Sequence, residues 1–156
     1  VITREIRALV DRQRLGFVAT VNADGTPNLS PKGTVVVWDD THLLWADIRS
    51  PRTMRNLRDR PATEINVVDP LTRKGYRFRG TCRIITDNVE LEPILRFYRE
   101  ERLLTNPIRA AVLVAVESVE LVTSPSYDDP EADEAEIRQR YIAWYTADSL
   151  ENVEQP

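Results

Sequence analysis

The chain is poor in the residues that most often announce a catalytic centre. It has one cysteine, Cys82, one histidine, His42, and two lysines, Lys32 and Lys74. A single cysteine excludes an intrachain disulfide. One histidine and one cysteine also exclude the usual zinc clusters, which draw four ligands largely from those two types. A Ser-His-Asp triad would have to use His42, and no nucleophile-elbow sequence lies near it. There is no Walker loop and no GxGxxG, so neither a P-loop nor a Rossmann site is indicated. No apolar run approaches the roughly 20 residues that span a bilayer. The charged start, "VITREIRALV", lacks a secretory apolar core. The expectation is a cytoplasmic protein with no membrane partner and no metal.

What the chain does have is arginine, concentrated locally in a protein of net charge -4. That acidic balance gives no general attraction for nucleic acid. There is no interleaving of basic and aromatic residues either, so a nucleic-acid partner is not expected. Any anion must be caught at one place. The stretch "SPRTMRNLRDRP", residues 50–61, gathers Arg52, Arg55, Arg58 and Arg60, with Arg49 just before it. Ser50-Pro51 reads as a helix N-cap followed by proline at the first helical position, and Pro61 stops the helix. A helix N-terminus with free amides, hydroxyls from Ser50 and Thr53 and a bidentate cation in Arg52 has the parts of a phosphate site. The alternative reading is a solvated basic helix without a ligand.

The 156 residues fit one domain, taken as residues 1–150 with a frayed tail at 151–156. Residues 2–12 read as an amphipathic helix. Strands follow at 15–21, 28–38, 42–48, 62–68, 76–86 and 110–123. Asp24-Gly25 marks a hairpin between the first two. Helices are expected at 51–60, 91–104 and 131–145. In the fifth strand Tyr76, Phe78, Gly80, Cys82 and Ile84 fall on one face and Arg77, Arg79, Thr81 and Arg83 on the other. The arginine face could line the barrel, meet another subunit or be solvated. Hairpin-linked strands make an antiparallel sheet, and six of them with edges to hide close into a barrel. The fold class is mainly β with α: a six-stranded antiparallel split β-barrel with flanking helices.

The second strand opens oddly as "NLSPKGT". Proline gives up a ladder donor, and glycine marks either a bulge or a close approach of backbone to a ligand. Lys32 stands where a strand ordinarily wants an apolar or a water-facing residue.

The ordered series "LGFVATVNADGTPNLSPKGT", "LLWAD", "SPRTMRNLRDRP", "GYRFRGTCRI" resembles the pyridoxamine 5'-phosphate oxidase-like family of FMN-binding split barrels. The resemblance runs from about residue 15 to 123. It implies a homodimer with cofactor at the interface and a flavin-dependent oxidoreductase acting on a small-molecule substrate. Ser30, Pro31, Lys32, Gly33 and Thr34 would lie along the flavin ring, and Ala46, Asp47 and Ile48 beside ring and ribityl chain. Ser50, Arg52 and Thr53 would bind the phosphate, supported by Asn56. Residues near Gly75 to Arg77 would come from the partner. The deazaflavin F420 is the alternative cofactor, and a flavin-binding or storage module without turnover the alternative role. No residue is singled out as catalytic. The family's true oxidases carry an arginine- and histidine-containing C-terminal segment that is missing here, and Gly75 stands where they place a glutamine.

Overall fold

The computed structural model describes residues 1–151. Helix α1, Arg4–Gln13, starts at Thr3, whose hydroxyl accepts from the Ile6 amide at 3.3 Å. It buries Ile6, Leu9 and Val10, the stripe that helical spacing dictates. The strands are β1 Gly16–Val21, β2 Pro27–Lys32, β3 Val36–Val37, β4 His42–Asp47, β5 Ala62–Asp69, β6 Lys74–Ile85 and β7 Ala110–Thr123. Helix α2, Pro51–Asp59, follows β4; α3, Asn88–Glu100, joins β6 to β7; a short 3-10 turn, Pro125–Asp128, precedes α4, Glu134–Glu151. Of the expected tail, Glu151 closes α4 and residues 152–156 lie outside the described residues.

The strands form one antiparallel sheet in the order β2-β1-β5-β6-β7-β4-β3. Its edges, β2 and β3, are consecutive in the chain. Residues 33–35 carry the backbone straight from one edge to the other, which curls the sheet into the split barrel. The single strand expected over residues 28–38 is therefore two, and the barrel has seven strands instead of six. The cause is the turn at Gly33 and Thr34. There the chain leaves the β1 ladder, whose last pair is Gly16 with Lys32, and joins β4 through Val36 and Val37. The Thr34 side chain stands in for the missing ladder. Its Oγ1 accepts from the Ala46 amide at 3.0 Å and donates to the Ala46 carbonyl at 3.2 Å. The Tyr98 hydroxyl donates to the Thr34 carbonyl at 2.7 Å.

Strand β4 is buried on both faces. Leu43 and Trp45 join the barrel interior with Val18, Ile65, Phe78 and Val112; Leu44 and Ala46 pack with Ile94 and Tyr98 of α3. Strand β6 alternates as its sequence dictates. Phe78, Gly80 and Cys82 are buried, and Arg77, Arg79 and Arg83 are exposed, pairing with Glu120, Glu64 and Glu90. Burial pushes the Cys82 thiol up to about 12, far from reactive thiolate. A Cβ at Gly80 would sit 2.3 Å from the Ala115 carbonyl oxygen, beside the bulge between Arg79 and Gly80, so only glycine fits there. At the far end of the sheet the buried Asp69 carboxylate accepts from both Arg12 and Arg138, each at 3.2 Å, tying α1 and α4 to β5.

Thr34→Val keeps the shape of the crossing and removes both bonds to Ala46. The buried amide and carbonyl left behind should cost roughly 1–3 kcal/mol, read as a lower urea midpoint with an unchanged slope.

Candidate functional site

Helix α2 begins at Pro51, whose ring presets the helical φ, and buries Met54 and Leu57 beneath it. Ser50 occupies the cap position, but its side chain does not cap the helix. Its hydroxyl donates instead to Asp47 Oδ1 at 2.6 Å, and its amide to the same oxygen at 3.1 Å. The expectation of a capping serine is corrected here: the Asp47 carboxylate accepts from both the hydroxyl and the amide of Ser50, which holds Oγ toward Asp47 and away from the helix amides. The first helical bond runs from the Met54 amide to the Ser50 carbonyl at 3.0 Å, so the amides of Arg52 and Thr53 have no helical acceptor. Arg52 is exposed, and its guanidinium has no carboxylate within ion-pair distance among the described residues.

The buried side of α2 is polar as well. Asn28 Nδ2 donates to Thr53 Oγ1 at 3.2 Å and to Thr20 Oγ1 at 3.0 Å. Asn56 Nδ2 donates to Thr20 Oγ1 and to Asn22 Oδ1, both at 3.0 Å. This network fixes the helix against β1 and β2. It places Thr53 and Asn56 behind the helix surface, with Arg52 in front.

Beside this helix runs a groove of about 520 Å³ lined by Pro31, Lys32, Gly33, Thr34, Ala46, Ile48, Arg49, Asn106, Pro107 and Arg109. It lies at the crossing between the sheet edges. Six of the sequence-expected residues meet on it: Pro31 to Thr34 from the crossing, Ala46 and Ile48 from the end of β4. Ser30 supports Lys32 from the side, Asp47 and Ser50 form the buried pair behind, and Arg52, Thr53 and Asn56 belong to α2. Arg49, Asn106, Pro107 and Arg109 were assigned no site role by the sequence reading. Arg49 belongs to the arginine-rich stretch and could have been found there. The other three sit in coil before β7 and carry no local signal. Pairing of Asp47 with Ala110 brings them in, and the Arg109 amide donates to the Asp47 carbonyl at 2.9 Å.

Lys32 is the unusual group of the groove. It is 9% exposed. Its ammonium donates to Ser30 Oγ at 2.9 Å and stands 5.1 Å from the centre of the Trp45 ring. Burial holds its pKa below the ordinary lysine value, while the Asp47 carboxylate pulls the other way. An ammonium has three donors, and one hydrogen bond leaves capacity for a ligand. No acidic side chain, histidine or cysteine lines the groove. Among the described residues no group of three or more such side chains could hold a metal. A groove lined by cations, with no protein acid or base pair on it, is complementary to an anion.

A curled antiparallel sheet with a groove where its edges meet defines a split barrel. The chain belongs to the pyridoxamine 5'-phosphate oxidase family, whose model matches residues 2–123. It is similar to the crystal structure of HupZ from Group A Streptococcus, with 32% identity over 80% of this chain and 96% of that one, TM-score 0.70. An FMN-binding protein from Syntrophomonas wolfei shares the fold at 12% identity, covering 79% of this chain and 87% of that one, TM-score 0.67. A protein described as an F420 reductase shares it at 24% identity, covering 76% and 98%, TM-score 0.59. No curated protein matches the chain.

A lysine with a folded pKa below its unfolded one is less protonated in the folded state, so stability rises as pH climbs through the folded pKa. Lys32→Met should remove that rise. Urea midpoints between pH 7 and pH 10 check it: the wild type gains on the variant as pH increases, and parallel profiles would show that Lys32 titrates as an exposed lysine does.

Proposed function

We propose that the protein is an FMN-dependent oxidoreductase acting on a small-molecule substrate. The observation that carries this reading is the uncapped start of α2, with free amides and the unpaired Arg52, next to a groove holding a buried ammonium. Flavin, when bound, accepts hydride and passes electrons on. The residues present fit it. Arg52 and the amides of Arg52 and Thr53 hold the phosphate. The Asp47–Ser50 pair fixes the turn between β4 and α2, and so the spacing between phosphate and ring. Lys32 Nζ places positive charge beside the ring, where negative charge develops on reduction.

One feature argues against vitamin B6 oxidation: Gly75 is packed so that a Cβ would lie 2.3 Å from the Val67 carbonyl oxygen. F420 shares the phosphate and the planar ring and is the alternative cofactor. The lack of a protein acid or base on the groove also suits a binding or storage module without turnover. We further propose a homodimer. Phe17, Ala19 and Leu29 face outward from β1 and β2 around a shallow cavity that Arg77 also lines, and Phe17 and Leu29 are exposed. Among the described residues no helix is long and apolar enough to cross a membrane.

Titration of the protein with FMN and with F420, followed by mass identification of any cofactor released on denaturation, tests the reading. FMN should bind with the higher affinity, and Arg52→Ala should weaken it about tenfold or more, as for a lost charge-assisted hydrogen bond. Unchanged affinity in that variant would remove the phosphate site. Preferential uptake of F420 would move the protein to the deazaflavin reading, and uptake of neither would sink both.

A further inference from the structure

The coil between α3 and β7, residues 101–109, has two sides. One borders the groove through Asn106, Pro107 and Arg109. The other borders a second recess of about 550 Å³, walled mainly by Leu95, Leu103, Leu104 and Ile108. Asn106 and Pro107 line both cavities, so the two meet across one rim. On the groove side, Arg49 and Arg109 are exposed, and neither guanidinium has a carboxylate within ion-pair distance among the described residues. On the recess side the one charged side chain, Arg99, is paired with Glu92 at 3.6 Å. Leu103 is 80% exposed and holds φ 54. That left-handed conformation is costly for leucine, and an exposed leucine held in it gains nothing for the core.

We infer that the substrate is an amphipathic organic anion, a carboxylate or phosphate carrying an aliphatic or aromatic body. Its anionic end sits on Arg109 and Arg49, and its apolar body crosses the Asn106-Pro107 rim into the recess. The charge argument is local. Arg109 precedes Ala110, which pairs with Asp47, and Arg49 lies two residues after Asp47, so the two cations border one opening. They line the same groove as Lys32, and Arg52 with the α2 amides is left for the cofactor phosphate. The apolar argument is one of complementarity. Leu103 and Leu104 flank the rim, and a body long enough to pass it would cover surface that the fold leaves bare. This inference rests on the flavin reading for its chemistry, though not for the binding it predicts.

Calorimetric titration with octanoate, octanamide and acetate, with and without saturating FMN, tests it. Octanoate should bind at least tenfold tighter than either of the others. Arg109→Gln should abolish the preference for octanoate over octanamide and leave FMN affinity within twofold. Leu103→Asn should weaken octanoate toward acetate, and asparagine tolerates the left-handed backbone, so the fold is kept. Equal binding of octanoate and octanamide in the wild type would overturn the inference. So would an Arg109→Gln variant that loses FMN tenfold, since the guanidinium would then belong to the cofactor. Arg109-dependent octanoate binding in a protein that takes up neither FMN nor F420 would keep the subsite and overturn the flavin reading. FMN uptake with no octanoate preference would do the reverse.

Discussion

The structure depends on how residues 33–35 close the barrel. The edges of a curled sheet ordinarily meet by hydrogen-bonding strand to strand. Here they meet through the covalent chain, and one side chain does the bonding that a ladder would otherwise do. Thr34 accepts from and donates to the same residue, Ala46, and so satisfies a buried amide and carbonyl that no neighbouring strand reaches. Tyr98 satisfies the Thr34 carbonyl from the other side. Because the ladder is interrupted there, the barrel has an opening at that point and not elsewhere. The groove is a consequence of the closure, which is why the residues that make the crossing also line the site.

Charge is distributed in keeping with that geometry. The arginines of β6 point to solvent and each meets a glutamate. Exposed pairs of this kind contribute little to stability, but they neutralise that face. Around the groove the pattern is reversed. Lys32 is desolvated with one hydrogen-bond partner, Asp47 is shared with Ser50, and Arg49, Arg52 and Arg109 have no carboxylate in reach. Desolvating an ammonium is unfavourable unless something offsets it. The Trp45 ring and Asp47 offset part, and an anionic ligand would offset the rest. In a protein of net charge -4, a cluster of cations without carboxylate partners favours an anion locally.

How much of this was legible in the sequence follows from whether a feature is local. The alternation of β6, the proline-bounded α2 with Met54 and Leu57 inward, and the Asp24-Gly25 hairpin are written in neighbouring residues, and the structure has them. The oddity of "NLSPKGT" was visible, but its meaning was not. A proline and a glycine in a strand signal a disturbance, and only the sheet order shows that this disturbance is a passage between two edges. Ser50 looked like a cap because the pattern Ser-Pro ahead of a helix is common. Asp47, three residues earlier, competes for the same hydroxyl, and pattern reading does not weigh such competition. Arg109 and Asn106 lay beyond reach altogether, since the β4–β7 pairing that delivers them spans more than sixty residues of chain.

The two walls of the groove differ in kind, and the difference assigns them different work. The wall formed by the crossing and β4 is cross-bonded through Thr34, and its strand is buried on both faces, so it holds a fixed shape. The other wall is coil, with Asn106, Pro107 and Arg109 exposed. Loops on a rigid scaffold are where binding preferences change most freely. A cofactor, whose ring and phosphate must keep a fixed separation, suits the rigid wall and α2. A substrate, which differs from one such protein to the next, suits the coil. On the proposed reading, Arg52 and Lys32 would answer to the cofactor's chemistry, and Arg109 and Leu103 to the substrate's.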